Sequence, residues 1–149
     1  MKIRNIAICL IEHQGKIFVG EGVDEVKNET FYRPLGGGIE FGETARQTVI
    51  REFQEEMQTE IEVGNYLTTF ENLFTFNGVT GHEIVLLLSA KFKDKQIYQQ
   101  NNIQCNEEGT SFIAKWINIE DFLDGSKILY PTGIVEYLIE NCHRPVLSK

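Results

Sequence analysis

Residues 36–59 read GGGIEFGETARQTVIREFQEEMQT, and this stretch decides the fold. It opens with three consecutive glycines, which let the backbone approach a ligand or a neighbouring segment closely. Thr44 is of a type that caps helix N-termini, and Gln47 follows three residues later, which is the capping-box pattern. The stretch therefore predicts a glycine loop that leads directly into an α-helix.

The predicted helix carries carboxylates on one face. Glu52, Glu55 and Glu56 are three or four positions apart, so they lie within one arc of about 100°. At about 6 Å and an effective dielectric of about 20, each pair repels by about 3 kcal/mol. A hard cation such as Mg²⁺ or Mn²⁺ offsets this repulsion, whereas an acidic face that is simply solvated is the ordinary alternative. An apolar stripe is displaced from the acidic face and consists of Val49, Ile50, Phe53 and Met57.

The spacing in this stretch resembles the signature of the Nudix hydrolases, G-x5-E-x7-R-E-U-x-E-E-x-G-U, where U is a bulky aliphatic or aromatic residue. Gly37 is followed after five residues by Glu43, and after seven more by Arg51 and the run E-F-Q-E-E. Two positions depart from the signature, because Gln58 replaces a glycine and Thr59 replaces an apolar residue. Either Gln58 adopts the left-handed conformation of a glycine helix cap, at a cost of about 1 kcal/mol, or the helix ends differently.

The resemblance implies roles for individual residues. Glu52, Glu55 and Glu56 would bind Mg²⁺ or Mn²⁺, helped by the main-chain carbonyl of Gly36, and Arg51 would hold Glu43 and the loop in position. The expected catalytic residues are Glu43, Arg51, Glu52, Glu55 and Glu108, and the expected substrate-binding residues are Arg33, Gly37 and Gly38.

The implied reaction is hydrolysis of a nucleoside diphosphate derivative by water, with divalent metal as the cofactor. The general base is open between Glu52 or Glu55 in the helix, Glu107 or Glu108 before the strand that ends near Trp116, and Glu83. The substrate is open as well, between oxidised purine nucleoside triphosphates, ordinary deoxynucleoside triphosphates, nucleotide sugars and ADP-ribose. Three other classes stay in view: a catalytically silent ligand-sensing domain on the same fold, a metal-dependent isomerase, and a plain interaction domain.

Composition agrees with a small enzyme. The chain has 149 residues with 42% hydrophobic content, which predicts one domain over residues 1–149. A net charge of −8 argues against nonspecific binding to nucleic acid or to anionic membranes, so we expect neither as a partner. The expected partner is a small-molecule nucleotide. Dimers are frequent in the family, which makes a homodimer one expectation for the oligomeric state.

The cysteines and the apolar runs indicate the cellular compartment of the protein. Cys9, Cys105 and Cys142 are odd in number and lack C-x-x-C or Cys/His metal spacing, so they are interpreted as free thiols in a reducing compartment. The apolar run after Arg4 is too short for a signal peptide, and residues 84–88 are too few to span a bilayer. We therefore expect a cytoplasmic protein.

Strand and helix patterns surround the glycine loop. The resemblance implies the Nudix fold, an α/β class built as an α/β/α sandwich with a mixed β-sheet, whereas the patterns alone indicate only a mixture of helices and strands. The predicted elements are a hairpin of residues 6–11 with 16–20 around Gln14 and Gly15, a longer hairpin of 67–76 with 83–92 through Asn77 and Gly78, a strand over 110–117, a short helical turn over 121–123, and a helix opened by Pro131.

Overall fold

The computed structural model describes residues 1–141. In this part of the chain, five strands precede the first helix, four more follow it, and two shorter helices come last, with a short 3₁₀ segment, Lys95–Gln99, after the longest hairpin. The strands are β1 (Arg4–Leu10), β2 (Glu12–His13), β3 (Lys16–Asp24), β4 (Glu29–Arg33), β5 (Gly36–Gly38), β6 (Ile61–Phe76), β7 (Val79–Phe92), β8 (Ile103–Glu107) and β9 (Thr110–Asn118). The helices are α1 (Ala45–Met57), α2 (Ile119–Leu123) and α3 (Thr132–Glu140).

The strands form two sheets. One is a mixed sheet in the order β5-β1-β7-β6, in which β1 runs parallel to β7 and the other neighbours are antiparallel. The other is antiparallel in the order β2-β3-β9-β8, with β4 paired to β3. The predicted mixed sheet is therefore one of two sheets, and the glycine strand β5 is at its edge.

Strand β1 shows how the layers are built. Successive side chains of a strand point to opposite faces. On one face of β1, Ala7 packs in a buried cluster with Val49 and Phe53 of α1. On the other face, Ile8 packs in a second buried cluster with Ile134 of α3. The sheets therefore lie between α1 on one side and α2 and α3 on the other, which confirms the α/β/α prediction.

The longer predicted hairpin is confirmed. Strands β6 and β7 are joined by Asn77 and Gly78, whose φ angles of 50° and 80° are those of a two-residue hairpin turn. The short helical turn and the helix after Pro131 are confirmed as α2 and α3.

The first predicted hairpin is correct in its turn and wrong in its strands. Gln14 and Gly15 form the turn, with φ angles of 52° and 78°, but they join β3 to the two-residue strand β2. Strand β1 pairs instead with β5 and β7 of the other sheet. Because β1 is covered by α1 on one face and by α3 on the other, tertiary contacts decide its place in the sheet, and a local turn signal does not reveal its partner.

Helix α1 is capped at both ends. The Gln47 N–H donates to the Thr44 side-chain oxygen at 3.1 Å, and the Thr44 N–H donates to the Gln47 side-chain oxygen at 2.8 Å, so the predicted capping box is formed. At the other end Gln58 has φ 54° and ψ 42°, and its N–H donates to the carbonyl of Gln54 at 2.9 Å. Gln58 thus takes the left-handed cap conformation that glycine adopts more easily.

Two of the three cysteines lie within the described residues. Cys9 and Cys105 are free and buried, and burial raises the pKa of each thiol to about 12. Cys142 lies outside the described residues. No helix within residues 1–141 has the length and apolar character needed to cross a bilayer.

We expect Gln58→Gly to stabilise the protein, because it relieves a left-handed side-chain conformation at the end of α1. The expected gain in the free energy of unfolding is about 0.5–1 kcal/mol, measured by urea denaturation. Gln54→Gly is the matched control, since Gln54 is exposed within the same helix, and it should lose about 1 kcal/mol. Equal losses in both variants would contradict the strain assigned to Gln58.

Candidate active site

An ion pair ties the loop to helix α1. Arg51 Nε and Nη2 donate to the two carboxylate oxygens of Glu43 at 2.7 and 2.9 Å. The Thr48 hydroxyl donates to Glu43 at 2.7 Å, and the Glu40 N–H donates to it at 3.1 Å. Arg51 Nη2 also donates to the carbonyl of Gly38 at 3.1 Å. A two-pronged contact of this kind fixes orientation as well as distance, so the end of β5, the loop and α1 are held as one unit.

These hydrogen bonds shift the pKa values of both partners. The hydrogen bonds from Arg51, followed by the one from Thr48, lower the pKa of Glu43 from 4.5 to about 2. The Glu43 carboxylate in turn is the largest cause that raises the pKa of the Arg51 guanidinium. The pair is therefore charged throughout the physiological range of pH.

Arg51 also contacts two of the predicted metal ligands. Its Nη1 donates to Glu52 at 2.9 Å and to Glu55 at 3.3 Å. Glu55 is turned outward, with 58% of its side chain exposed. Among residues 1–141, no three His, Cys, Asp or Glu side chains are grouped closely enough to hold a metal ion. The predicted triad is thus divided, with Glu55 on the exposed side and Glu52 beside Glu56.

Glu56 is the buried member of the acidic face, with 5% exposure. Its pKa is raised to about 9, first by burial, then by a hydrogen bond with Glu52 and by the charge of Glu107. The charge of Arg33 acts in the opposite direction but is outweighed by burial and by the two neighbouring acids. These oxygen donors fit a hard divalent cation such as Mg²⁺ or Mn²⁺, which prefers carboxylate ligands.

The three glycines of β5 have different structural roles. A Cβ at Gly36 would overlap with β1, lying 2.6 Å from the Cα of Ile8. A Cβ at Gly37 would overlap with the Glu52 carboxylate, 2.5 Å from Oε2. The main chain of Gly37 therefore packs directly against a predicted metal ligand. Gly38 contributes its carbonyl to Arg51, which is a supporting contact, whereas Gly36 and Gly37 line a cavity.

That cavity has a volume of about 390 Å³ and opens beside Glu56. Gly37 and Glu56 form one side of it, and Glu107 and Phe112, from β8 and β9, form another. Arg33, at the end of β4, lines this cavity and also an adjoining cavity of about 590 Å³. The two cavities are therefore adjoining halves of one cleft, with Glu56 and Glu107 in the smaller half and Arg33 lining both.

Glu107 and Glu108, the two acids before β9, differ in their position relative to the cavity. Glu107 is the last residue of β8 and lines the cavity near Glu56. Glu108 has φ 47° and forms the β8–β9 turn with Gly109, where its side chain is exposed and outside the cavity lining. Of the two acids, Glu107 is the one that lines the cavity, and a catalytic role for Glu108 stays a prediction. The dipeptide Glu-Gly is the sequence signal that could have identified the turn and so the last strand residue.

The NUDIX domain family model matches residues 1–133 of the chain. This protein belongs to the Nudix family. Nudix hydrolases act on small nucleotide substrates and generally use divalent metal ions, in agreement with the acidic and basic groups that line the cleft.

Individual Nudix relatives agree with this assignment. CTP pyrophosphohydrolase of Escherichia coli K12 is 30% identical over 71 residues, which is 48% of this chain and 53% of the relative. The chain thus matches about half the length of that relative.

Solved structures share the fold. The E. coli ORF135 protein superposes with a TM-score of 0.60 at 21% identity, covering 99% of this chain and 96% of that one. The MutT Nudix hydrolase from Burkholderia pseudomallei gives a TM-score of 0.62 at 17% identity, covering 91% and 96%. The MutT protein from Methanosarcina mazei Go1 gives 0.64 at 16% identity, covering 93% and 91%.

The Arg51–Glu43 pair has a testable pH dependence. The folded-state pKa of Glu43, about 2, lies below its ordinary value of 4.5, so the pair stabilises the fold above about pH 4.5 and loses its contribution as the pH falls toward 2. Glu43→Gln should therefore lower the melting temperature at pH 7, and its difference from wild type should shrink below pH 4.5.

The control for this experiment is Glu40→Gln. The Glu40 carboxylate is the other acid of this loop near Arg51, at 3.8 Å, and 69% of its side chain is exposed, so its removal should change the melting temperature little. A difference between Glu43→Gln and wild type that stays constant from pH 7 to pH 3 would rule out the ion pair as its source.

Proposed function

We propose that this protein is a metal-dependent Nudix hydrolase that cleaves the diphosphate linkage of a nucleoside diphosphate derivative, with water as the nucleophile. The observation that carries the proposal is the buried Glu56 carboxyl beside Glu52, with Arg33 on the same cavity. Acids near a cation-binding position and an arginine farther along the cleft together suit a substrate with several phosphate groups.

Glu52, Glu56 and the main-chain carbonyl of Gly36 are proposed to hold Mg²⁺ or Mn²⁺, with Glu55 as the further ligand that the family pattern implies. When bound, such an ion neutralises phosphate oxygens and makes the phosphorus easier to attack. Arg51 supports this site by holding Glu52 at 2.9 Å. The steric contact of Gly37 with Glu52 restricts that carboxylate from the other side.

Two residues across the cleft are proposed to act on the substrate. Arg33 makes no hydrogen bond or ion pair with its side chain in the described part of the chain, which leaves its guanidinium available for a phosphate group. Glu107 faces the cavity that contains Glu56, so its carboxylate is proposed to accept the proton of the attacking water. Gly37 borders the same space, where its main chain would lie near the phosphates.

The similarity to CTP pyrophosphohydrolase supports nucleoside triphosphates as the first substrates to test. The two buried free thiols agree with a reducing compartment, which supports a cytoplasmic location.

The metal ligands can be tested with Glu56→Gln in a panel of nucleotides, with phosphate or pyrophosphate release as the readout. Wild type should hydrolyse at least one nucleotide with Mg²⁺ or Mn²⁺ and none after chelation with EDTA. Glu56→Gln should lose about 100-fold or more in kcat, because several kcal/mol of charge stabilisation disappear. Glu60→Gln is the control, since the Glu60 side chain is 73% exposed. Wild-type rates in a folded Glu56→Gln protein would exclude the ligand role.

Glu107→Gln and Glu108→Gln form a matched pair that tests the proposed base. Loss of a general base lowers kcat by about 10²–10⁴-fold, so Glu107→Gln should fall in this range at saturating substrate. Glu108→Gln should stay within about twofold of wild type, because its side chain lies outside the cavity. The reverse order of the two variants would assign the base to Glu108.

A further inference from the structure

The 590 Å³ half of the cleft has a polar wall. Arg4 on β1, Glu83 on β7 and Asn72 on β6 are direct cross-strand neighbours, so their side chains form one row across three strands. Asn72 Nδ2 donates to Glu83 Oε1 at 3.2 Å, and Arg4 Nη1 lies 3.5 Å from Glu83 Oε2. All three residues line the cavity.

Glu83 is the unusual member of this row because it is a charged residue with 2% exposure. A carboxylate has about four acceptor positions on its two oxygens, and the contacts with Asn72 and Arg4 use one on each oxygen. Glu83 therefore keeps acceptor capacity toward the cavity that it lines. A buried acceptor of this kind favours a ligand that offers hydrogen-bond donors.

The other acid of this cavity is already satisfied. Asp24 is buried, and its Oδ1 accepts from the N–H groups of Val26 and Lys27, both at 3.0 Å. Its Oδ2 accepts from the N–H of Asn77 at 3.1 Å. Asp24 thus organises the β3–β4 and β6–β7 turns, and Glu83 is the carboxylate on this side of the cleft that is left for a ligand.

Aromatic rings form another part of the wall. The Phe31 ring lies edge-on to Phe76 with 5.7 Å between centroids, and it lies 5.4 Å from the ring of Tyr130. A Cβ at Gly22 would be 2.7 Å from the Phe31 ring, so glycine is needed for this ring position. Apolar rings with a buried polar edge suit a flat heteroaromatic ligand that has polar groups on its rim.

We propose that this half of the cleft binds the base of the nucleotide, and that Glu83 accepts a hydrogen bond from an exocyclic amino group of that base. The ligand class is amino-bearing nucleobases, of which cytosine and adenine are the simplest. This inference rests on the proposed function for the position of the phosphates, which would lie beyond Arg33, one of the residues that line both halves of the cleft.

The chemistry predicts rejection of oxo bases. In uracil or hypoxanthine a carbonyl oxygen replaces the amino group, and it would face the Glu83 carboxylate without a proton between the two acceptors. A buried acceptor without a donor costs about 1–3 kcal/mol, which corresponds to roughly a 5- to 150-fold loss in affinity.

The test is equilibrium binding of nucleoside monophosphates by calorimetry without metal, so that it requires no hydrolysis. Wild type should bind CMP about tenfold or more tightly than UMP, or AMP than IMP by the same factor. Glu83→Gln should lower this ratio at least about fivefold, because a glutamine amide can donate to a carbonyl oxygen. Glu71→Gln is the matched control, since Glu71 is the exposed neighbour of Asn72 on β6 and faces the opposite side of the strand.

The outcomes separate the two proposals. Equal affinity for the amino and oxo member of both pairs, no measurable binding of any of them, or an unchanged ratio in a folded Glu83→Gln protein would each overturn the base-binding inference. If Glu83→Gln does not fold, the wild-type ratios decide alone. A preference for amino bases in a protein that hydrolyses no nucleotide would instead contradict the proposed function while supporting the base site.

Discussion

The close approach of the β5 main chain to the Glu52 carboxylate is the constraint on which the candidate site depends. This approach requires a residue without a side chain at Gly37, and it fixes the distance between the mixed sheet and α1. The Arg51–Glu43 pair then sets the rotation of the loop against the helix, since Arg51 contacts Glu43, Glu52 and the carbonyl of Gly38 at once. One steric contact and one charged pair together orient the acidic residues toward the cleft.

Local signals in the sequence predicted those parts of the fold that short-range geometry determines. The capping box at Thr44, the turn at Asn77 and the acidic face of α1 each depend on residues a few positions apart. The partners of β1 depend instead on which distant strands pair with its two edges, β5 and β7, and no local pattern encodes that choice. The sequence does not separate Glu107 from Glu108 for a related reason, because a shift of one residue at a turn decides which side chain lines the cavity.

The cleft divides the chemistry of the site between its two halves. Glu56 and Glu107 line one half, aromatic rings and the buried Glu83 carboxylate line the other, and Arg33 lines both. The acidic residues of the first half are predictable from the sequence because the family pattern lies in one short stretch of the chain. In the second half, Arg4, Asn72 and Glu83 lie on three separate strands. They become neighbours only when the sheet is assembled.

The parallel pairing of β1 with β7 has a consequence for how the protein is made. During synthesis the first strand leaves the ribosome long before residues 83–89, which are its parallel neighbours. Until then, β1 lacks the strand that later pairs with one of its edges. Contacts of such long sequence separation form slowly. Polypeptides released before β7 is complete would therefore be candidates for chaperone binding or proteolysis.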